Sequence, residues 1–255
     1  SDSQLFNARV RWVSLALMLA IGALVGLSVW QYCCAEVTPP TALERRVTHM
    51  VTTLMEKQHL SRQVLNDEIS QRGFKLFLEG LDPLKTYFYQ SDIDEFKPFE
   101  KQLDDMLQQN NTSFANLVFQ RFLQRANERV ALVDELLTQN FDFTKDEDMV
   151  TEPDLLQYPR DAAEARERWR QRIEYDLLVL KADKSDKDKE GQPPKDPAEE
   201  DKEAREKLAK RYHNFARRMK QFDNNELLEM YLSSITSGYD PHTSYMSPNT
   251  LDNFR

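Results

Sequence analysis

Glycine is scarce in this chain, and the motifs that depend on it are missing. Only six of the 255 residues are glycine, whereas average usage of about 7 % would give roughly three times as many. Neither a glycine-rich phosphate loop nor a Gly-x-Ser-x-Gly nucleophile motif is present. Few glycines mean few tight turns, so the composition favours long helices.

Cysteine and positive charge are also limited. The two cysteines, Cys33 and Cys34, are adjacent, a spacing that supports neither a zinc site nor a disulfide framework. The 34 basic and 43 acidic residues leave a formal net charge of −9, which repels a phosphate backbone. We therefore expect no nucleic-acid partner, and nothing after residue 34 depends on redox state.

One long hydrophobic run interrupts this polar composition. Residues 12–30 carry no charge, and Arg9 and Arg11 precede them. The length is close to the roughly 20 residues that cross a bilayer, and the arginines place the N-terminus in the cytoplasm. Residues 1–36 are therefore interpreted as a membrane-targeting segment, with the rest of the chain exported.

Two fates of this segment stay open. Trp12 and Trp30 lie where interfacial aromatics belong, which favours an uncleaved anchor in the bacterial inner membrane. Cys33 and Ala35 supply small residues for a possible signal-peptide cleavage site, which would release a periplasmic protein. Both predict that the bulk of the chain lies on the exported side.

Residues 37–240 show helical periodicity, except in a loop at 140–159 and a charged stretch at 182–200. Apolar residues recur at three- and four-residue spacings, typical of a single buried helix face. Clear examples are Val47, Met50, Val51, Leu54 and Met55; Phe114, Leu117, Val118 and Phe122; Trp169, Ile173, Leu177 and Leu180; and Leu227, Leu228, Tyr231, Leu232 and Ile235. No alternating strand pattern or internal repeat is found. The sequence predicts an all-α, irregular domain of about seven helices after an N-terminal membrane-targeting helix.

Several helix boundaries are marked by capping residues and prolines. A second helix is drawn from Val64 to Leu81, where Asp82-Pro83 ends it, and Ser91 is interpreted as the next start. Asp240-Pro241 ends the last long helix, and Ser247-Pro248 begins another one. Residues 241–255 therefore form a junction.

A charged stretch interrupts the helices at residues 182–200. It alternates lysine with acidic residues, contains no large apolar side chain and ends in a proline-rich run. Such a segment buries too little surface to offset its ordering entropy. We interpret it as a solvated, disordered insertion between two helices, with a regulatory or partner-binding tail as the alternative. The preceding loop, residues 140–159, contains Phe141, Phe143, Leu155, Leu156 and Tyr158 and is expected to pack against the domain.

The histidines offer weak candidates for chemistry. Glu56 and His59 have the Glu-x-x-His spacing of di-iron bundles, but no second such motif accompanies them. His213 lies in a basic helix with Arg211, Arg217, Arg218 and Lys220, which is typical of a solvated face and less often of a surface for an acidic partner. We expect no metal site and no cofactor.

His242 lies between Asp240 and Ser244, which together supply the residue types of a hydrolase triad. Residues so close along an extended turn do not converge on one substrate atom, because a triad is defined by geometry. The segment is therefore interpreted as a hydrogen-bonded turn between two modules.

A family resemblance extends over residues 41–255. The segments that carry it are Leu81-Asp82-Pro83, Tyr87-Phe88, Ser91-Asp92-Ile93, Phe141-Asp142-Phe143-Thr144, Trp169-Arg170, Tyr175-Asp176-Leu177-Leu178, Arg211-Tyr212, Arg217-Arg218 and Asp240-Pro241-His242-Thr243-Ser244-Tyr245. In this order they resemble the helical N-terminal region of tail-specific proteases, the C-terminal processing peptidases.

The resemblance implies an exported serine endopeptidase with a downstream PDZ domain, a serine nucleophile and a lysine base, all beyond residue 255. It implies no catalytic residue in this chain, which is expected to be inactive alone. Its partners would be protein substrates with exposed C-termini and an adaptor protein. The rival hypothesis is a stand-alone helical scaffold for envelope proteins without peptidase activity.

Overall fold

The computed structural model describes residues 39–58, 64–144, 150, 152, 155–188 and 196–253. The predicted membrane-targeting segment and His59 lie outside these residues. All regular secondary structure within these residues is helical, which confirms the all-α class. They contain nine α-helices, where about seven were expected. They are α1 (Ala42–Gln58), α2 (Asp67–Leu81), α3 (Gln90–Phe96), α4 (Leu103–Gln108), α5 (Ser113–Leu136), α6 (Ala162–Asp188), α7 (Pro197–Gln221), α8 (Asn224–Tyr239) and α9 (Pro248–Asn253), with a 3-10 turn at Lys97–Phe99. None of these described helices combines the length and apolarity that crossing a bilayer requires.

Helix starts differ from the predictions where a side chain caps the first turn. Helix α2 begins at Asp67 and not at Val64, because the Asn66 side chain accepts the N–H groups of Glu68 and Ile69, both at 3.1 Å. Helix α3 likewise begins one residue before Ser91. The predicted end before Asp240 and the start at Pro248 are both confirmed.

The charged stretch is more helical than predicted. Helix α6 continues to Asp188 and α7 begins at Pro197, so parts of the predicted insertion 182–200 are helical, and residues 189–195 lie outside the described part. An ion pair between Lys181 Nζ and Asp201 Oδ1, 2.7 Å apart, joins the two helices where the stretch begins and ends. Lysine is a good helix former, and adding residues to an existing helix costs little free energy. Helix α6 can therefore continue into the charged stretch without an apolar face.

The hydrophobic core has two adjoining clusters. The first joins α1, α2, α4, α5 and α8 around fully buried Phe77, Phe114 and Tyr231. The second joins α5, α6 and α7 around Trp169 and other buried side chains. The Tyr87 ring packs against both clusters, so the loop that carries it lies at their boundary.

Helix α1 buries only part of the predicted face: Met55 lies in the core and the two predicted valines pack against it, as expected. Met50 and Leu54 are exposed, whereas Thr48 and Thr52 are buried. Each threonine hydroxyl donates to the carbonyl four residues earlier, at 2.8 and 2.9 Å, and so needs no other partner. Polar residues that satisfy themselves in this way can occupy a buried face.

Two glycines allow α2 and α8 to approach closely. A Cβ atom on Gly238 would lie 2.9 Å from the backbone nitrogen of Gly73, and one on Gly73 would lie 2.4 Å from Ile235 Cδ1. We expect Gly238→Ala to lower the free energy of unfolding by about 2 kcal/mol, because backbone cannot yield as a side chain can. Urea unfolding at pH 7 measures this loss.

Gly80→Ala is the matched control. Gly80 lies in the same α2 helix, and an added Cβ would meet nothing within 4 Å. Alanine there is expected to stabilise the protein by up to about 1 kcal/mol, since it is the better helix former. Equal responses of the two variants would contradict a close α2 and α8 contact.

Candidate docking groove

A groove of about 520 Å³ lies beside α6. Its floor is one helical face, and the opposite wall is formed by residues of two loops: 84 and 86 in the first, and 150 and 155–157 in the second. The lining residues are Leu84, Thr86, Val150, Leu155, Leu156, Gln157, Arg168, Gln171, Arg172, Tyr175 and Asp176. The volume falls in the range of about 300–1,000 Å³ that ligand pockets occupy.

The first loop wall is held by a buried carboxylate. Asp82 accepts the backbone N–H groups of Thr86, Tyr87 and Phe88 at 2.8, 2.9 and 3.0 Å. The Trp169 indole N–H of α6 donates to the Thr86 carbonyl at 2.9 Å. These bonds fix the wall before any ligand arrives.

The second loop is attached to the first by Lys85. Its backbone has a φ of 50°, and its ammonium group donates to the Leu156 carbonyl at 2.7 Å. The packing predicted for the longer loop at residues 140–159 is confirmed only in part. Phe141 and Phe143 contact the second core cluster, and Tyr158 contacts the first, but Leu155 does not pack down.

Large apolar side chains lie exposed at the groove. Leu155 is 65 % exposed, Val150 56 % and Tyr175 53 %. A polar-rimmed concentration of exposed apolar surface marks an interaction site more often than scattered single residues do. The groove can therefore bury apolar side chains of a partner.

Arg172 places a partly buried positive charge in the groove. Its Nε donates to the Tyr212 hydroxyl at 3.1 Å, and its guanidinium lies 5.7 Å from the Trp169 ring centre. Burial raises the pKa of Tyr212 to about 12, so that hydroxyl stays neutral at physiological pH. Burial would lower the pKa of Arg172, but Tyr212 and the negative charge of Asp176 raise it above its ordinary value.

The other charges at the groove already have partners. Arg168 pairs with Glu164 at 2.5 Å. Asp176 accepts the Tyr212 O–H at 3.1 Å and pairs with Arg211 at 3.5 Å. Thr86 Oγ1, in the groove wall, is buried and has no hydrogen-bond partner among the described residues. Gln157 and Gln171 are further polar side chains of the lining.

The histidines singled out in the sequence lie elsewhere. His213 Nε2 lies 2.9 Å from Asp134 Oδ2, which ties α7 to α5. His242 is exposed, and its backbone N–H donates to Asp240 Oδ1 at 2.9 Å, which confirms the predicted turn. Glu56 is exposed, and no cluster of His, Cys, Asp and Glu in the described residues is arranged to hold a metal.

The terminal segment lies back along α8. Ser233 Oγ donates to the Tyr245 carbonyl at 2.7 Å, and Ser237 Oγ donates to the Thr243 carbonyl at 3.1 Å. Thr250 Oγ1 donates to Glu229 Oε2 at 2.8 Å. This junction is therefore fastened to the helical domain by side chains of α8.

The groove was not predicted from the sequence. Its floor residues 168, 171, 172, 175 and 176 share the helical spacing of a second face of α6, but that face is mixed in polarity. The sequence features that could have indicated a groove were Leu155 and Leu156 in a loop and Tyr175 outside the apolar repeat of α6. None of these signals indicates which loop lies opposite the helix.

Comparison with known proteins identifies related sequences. Residues 50–249 match a family described as the tail specific protease N-terminal domain. The chain is also 28 % identical over 244 residues to the tail-specific protease of Haemophilus influenzae. That alignment covers 95 % of this chain and 33 % of the relative, so the chain spans about a third of that relative's length.

Proposed function

The chain belongs to the tail-specific protease N-terminal domain family, and we propose that it is the non-catalytic docking portion of an exported serine endopeptidase. The whole enzyme would cleave proteins after recognising their C-termini. The serine nucleophile, the lysine base and a PDZ domain would lie outside residues 1–255. The role of this portion would be to hold a substrate or adaptor protein.

The observation that carries the docking role is the groove beside α6. It combines exposed apolar side chains with a partly buried arginine, and its first loop wall is fixed by Asp82 and Trp169. A preformed site binds a partner without first ordering its own loops, which reduces the entropic cost of association. The fastened junction after α8 would hold the docked protein in a defined position relative to the following domains.

Export is proposed from the sequence. The uncharged run at residues 12–30, preceded by Arg9 and Arg11, supports delivery to the inner membrane with the helical domain on the periplasmic side. Protease accessibility of residues 39–253 in intact spheroplasts tests this topology. Protection from an added protease would contradict export.

Docking without cleavage is the testable core of this function. We expect the 255-residue chain to bind fluorescein-labelled, reduced and carboxymethylated lactalbumin saturably by fluorescence anisotropy and to leave it intact on a gel. Leu155→Asp is expected to weaken binding about tenfold, because it places a charge at the apolar mouth of the groove.

Leu178→Asp is the matched control, since Leu178 is an exposed leucine of α6 outside the groove lining. Binding by this variant should equal that of the unmodified chain. Cleavage of lactalbumin by a clean preparation would refute the non-catalytic role. Equal weakening by both leucine variants would refute docking in the groove.

The rival function is a stand-alone scaffold for envelope proteins. The groove would serve such a scaffold as well, so binding alone does not separate the two hypotheses. The coding sequence after Arg255 does separate them: a PDZ-like segment followed by a serine and lysine pair supports the peptidase. A stop codon there would favour the scaffold.

A further inference from the structure

Helix α1 turns large apolar side chains outward and polar ones inward. Leu43, Met50 and Leu54 are each at least half exposed, whereas Thr48 and Thr52 are buried. A row of exposed apolar side chains marks a contact with a protein partner or a membrane. We infer that these three residues, the α1 stripe, lie in the surface of the bilayer to which the chain is anchored. This inference rests on the export proposed above and names the face by which the domain meets the membrane.

The helical spacing places the three side chains of the α1 stripe in one line. Leu43 and Met50 are seven residues apart, which is about two turns, and Leu54 follows one turn later. The stripe is therefore about 16 Å long at the rise of an α-helix. Thr48, Thr52 and the buried Met55 lie on the other side of the helix, so α1 can contact the core and a bilayer at the same time.

Basic side chains border the α1 stripe. Arg46 and Lys57 each follow a stripe leucine by three residues, which places them beside the stripe, and both are exposed. Glu44, one of the two acidic residues of α1, is buried. A helix with an apolar face and adjacent lysine or arginine binds in the plane of a membrane surface that contains anionic lipids.

The chain limits how far α1 can lie from a bilayer that holds residues 12–30. Residues 31–41 separate that uncharged run from Ala42, the first residue of α1. Such a connection spans at most about 40 Å when it is fully extended. The tether gives α1 a high effective concentration at the membrane, so a small apolar stripe is sufficient for a stable contact.

A second copy of the chain fits the α1 stripe less well. A stable protein interface buries about 800 Å² on each partner and involves roughly 20 to 30 residues a side. Three side chains on one helix supply only a small part of that area. An interfacial helix needs less, because its apolar face enters the boundary between headgroups and acyl chains by only about 5–10 Å.

A fluorescent label on the α1 stripe tests this contact in the 255-residue chain. Cys33 and Cys34 are replaced by serine, Met50→Cys carries a nitrobenzoxadiazole group, and the chain is placed in vesicles of phosphatidylethanolamine and phosphatidylglycerol. We expect a nitroxide-labelled lipid to reduce the emission about twofold, because the label lies in the interface. Leu178→Cys, at an exposed position of α6, is the matched control, and the emission of its label should not change.

A charge within the α1 stripe should remove the contact. In the chain labelled at Met50, Leu54→Asp is expected to abolish most of the quenching by the nitroxide lipid, because a carboxylate resists transfer into an apolar environment. Leu76→Asp, at an exposed leucine of α2, should retain the quenching. Circular dichroism and urea unfolding establish that both variants are folded. Quenching that survives Leu54→Asp would overturn the role of the stripe.

Three further results would overturn the inference. Aqueous iodide that quenches the Met50 label as strongly as the Leu178 label would show that the α1 stripe faces water. A Met50 label that is shielded from iodide but not quenched by the nitroxide lipid would assign the stripe to a protein contact, with residues 12–30 or with a second copy. Equal lipid quenching of both labels would show that the stripe is not the face that meets the bilayer.

These measurements separate the α1 stripe from the function proposed above. If the chain floats with the vesicles and spheroplast digestion shows export, but the Met50 label remains in water, this inference fails while export and docking stand. A chain that does not float with the vesicles would refute the membrane anchor, and the inference would fail with it. Binding of lactalbumin in the groove is independent of either result.

Discussion

Replacing Trp169 with alanine is expected to lower the free energy of unfolding by about 4 kcal/mol, as for other large-to-small changes at a fully buried aromatic residue. Trp169 is 1 % exposed. Its ring packs edge-on against Tyr87 and Tyr212 at centroid distances of 5.5 and 5.2 Å, and its indole N–H donates to the Thr86 carbonyl. The substitution thus removes contacts of α6 with both the loop after α2 and helix α7.

Urea unfolding monitored by far-UV circular dichroism measures this loss. Leu178→Ala is the control, since Leu178 is an exposed residue of the same helix and its truncation should change stability by less than about 0.5 kcal/mol. Trp169→Phe retains an aromatic ring but leaves the Thr86 carbonyl without the indole donor, so its loss should be intermediate. A loss below about 1.5 kcal/mol for the alanine variant would show that the indole is not a core contact.

Asp92→Asn is expected to lower the free energy of unfolding by about 3 kcal/mol, because it removes the negative charge between two partly buried arginines. The Asp92 side chain is 0 % exposed, and those of Arg121 and Arg125 are 17 % and 15 % exposed. Arg121 donates to the carboxylate at 2.5 Å, and Arg125 donates through Nε and Nη2, both at 2.8 Å. The carboxylate also accepts the Tyr89 backbone N–H at 2.9 Å at the start of α3.

The control for this variant is Glu95→Gln. Glu95 lies 3.0 Å from Arg121, but its side chain is 47 % exposed. Removing its charge should therefore lower the free energy of unfolding by about 0.5 kcal/mol or less. Equal decreases in the free energy of unfolding for the two variants would indicate that burial does not strengthen the ion pairs of Asp92.

The Asp92 network also predicts a pH dependence. Burial alone would raise the Asp92 pKa, but the hydrogen bonds from Arg125, the Tyr89 N–H and Arg121 outweigh it and hold the pKa below its ordinary value. Stability from a lowered carboxyl pKa is fully present above the unfolded pKa of about 3.9 and is lost as pH falls through the folded pKa. The gap in stability between the unmodified chain and Asp92→Asn should therefore narrow below about pH 4. A gap that widens on acidification would contradict this linkage.

Helical faces were predictable where apolar residues alone occupy them. The repeat Trp169, Ile173, Leu177 and Leu180 is buried as expected. In α1 the same reasoning is wrong for Met50 and Leu54, because two self-satisfied threonines occupy the face that packs inward. Periodicity shows that one face can be buried, but not which of two neighbouring faces meets a partner.

The candidate groove was less predictable than the helices. Its polar centre depends on Arg172 having Tyr212 as its neighbour, and these residues are 40 positions apart. Its wall depends on Trp169 reaching the Thr86 carbonyl, 83 positions away. No local pattern encodes such pairs, since an arginine on a charged helix is ordinarily solvated.

By itself the sequence determined the all-α class, the end of α8 before Asp240, the turn at His242 and the resemblance to tail-specific proteases. These features depend on local chemistry: proline geometry, short-range capping and the spacing of apolar residues. The tertiary structure decided which face of α1 is buried, where Asp92 meets its arginines, and that Arg172 meets Tyr212 at the groove beside α6. Those outcomes depend on which distant segments pack together, because burial and pairing are properties of the assembled core.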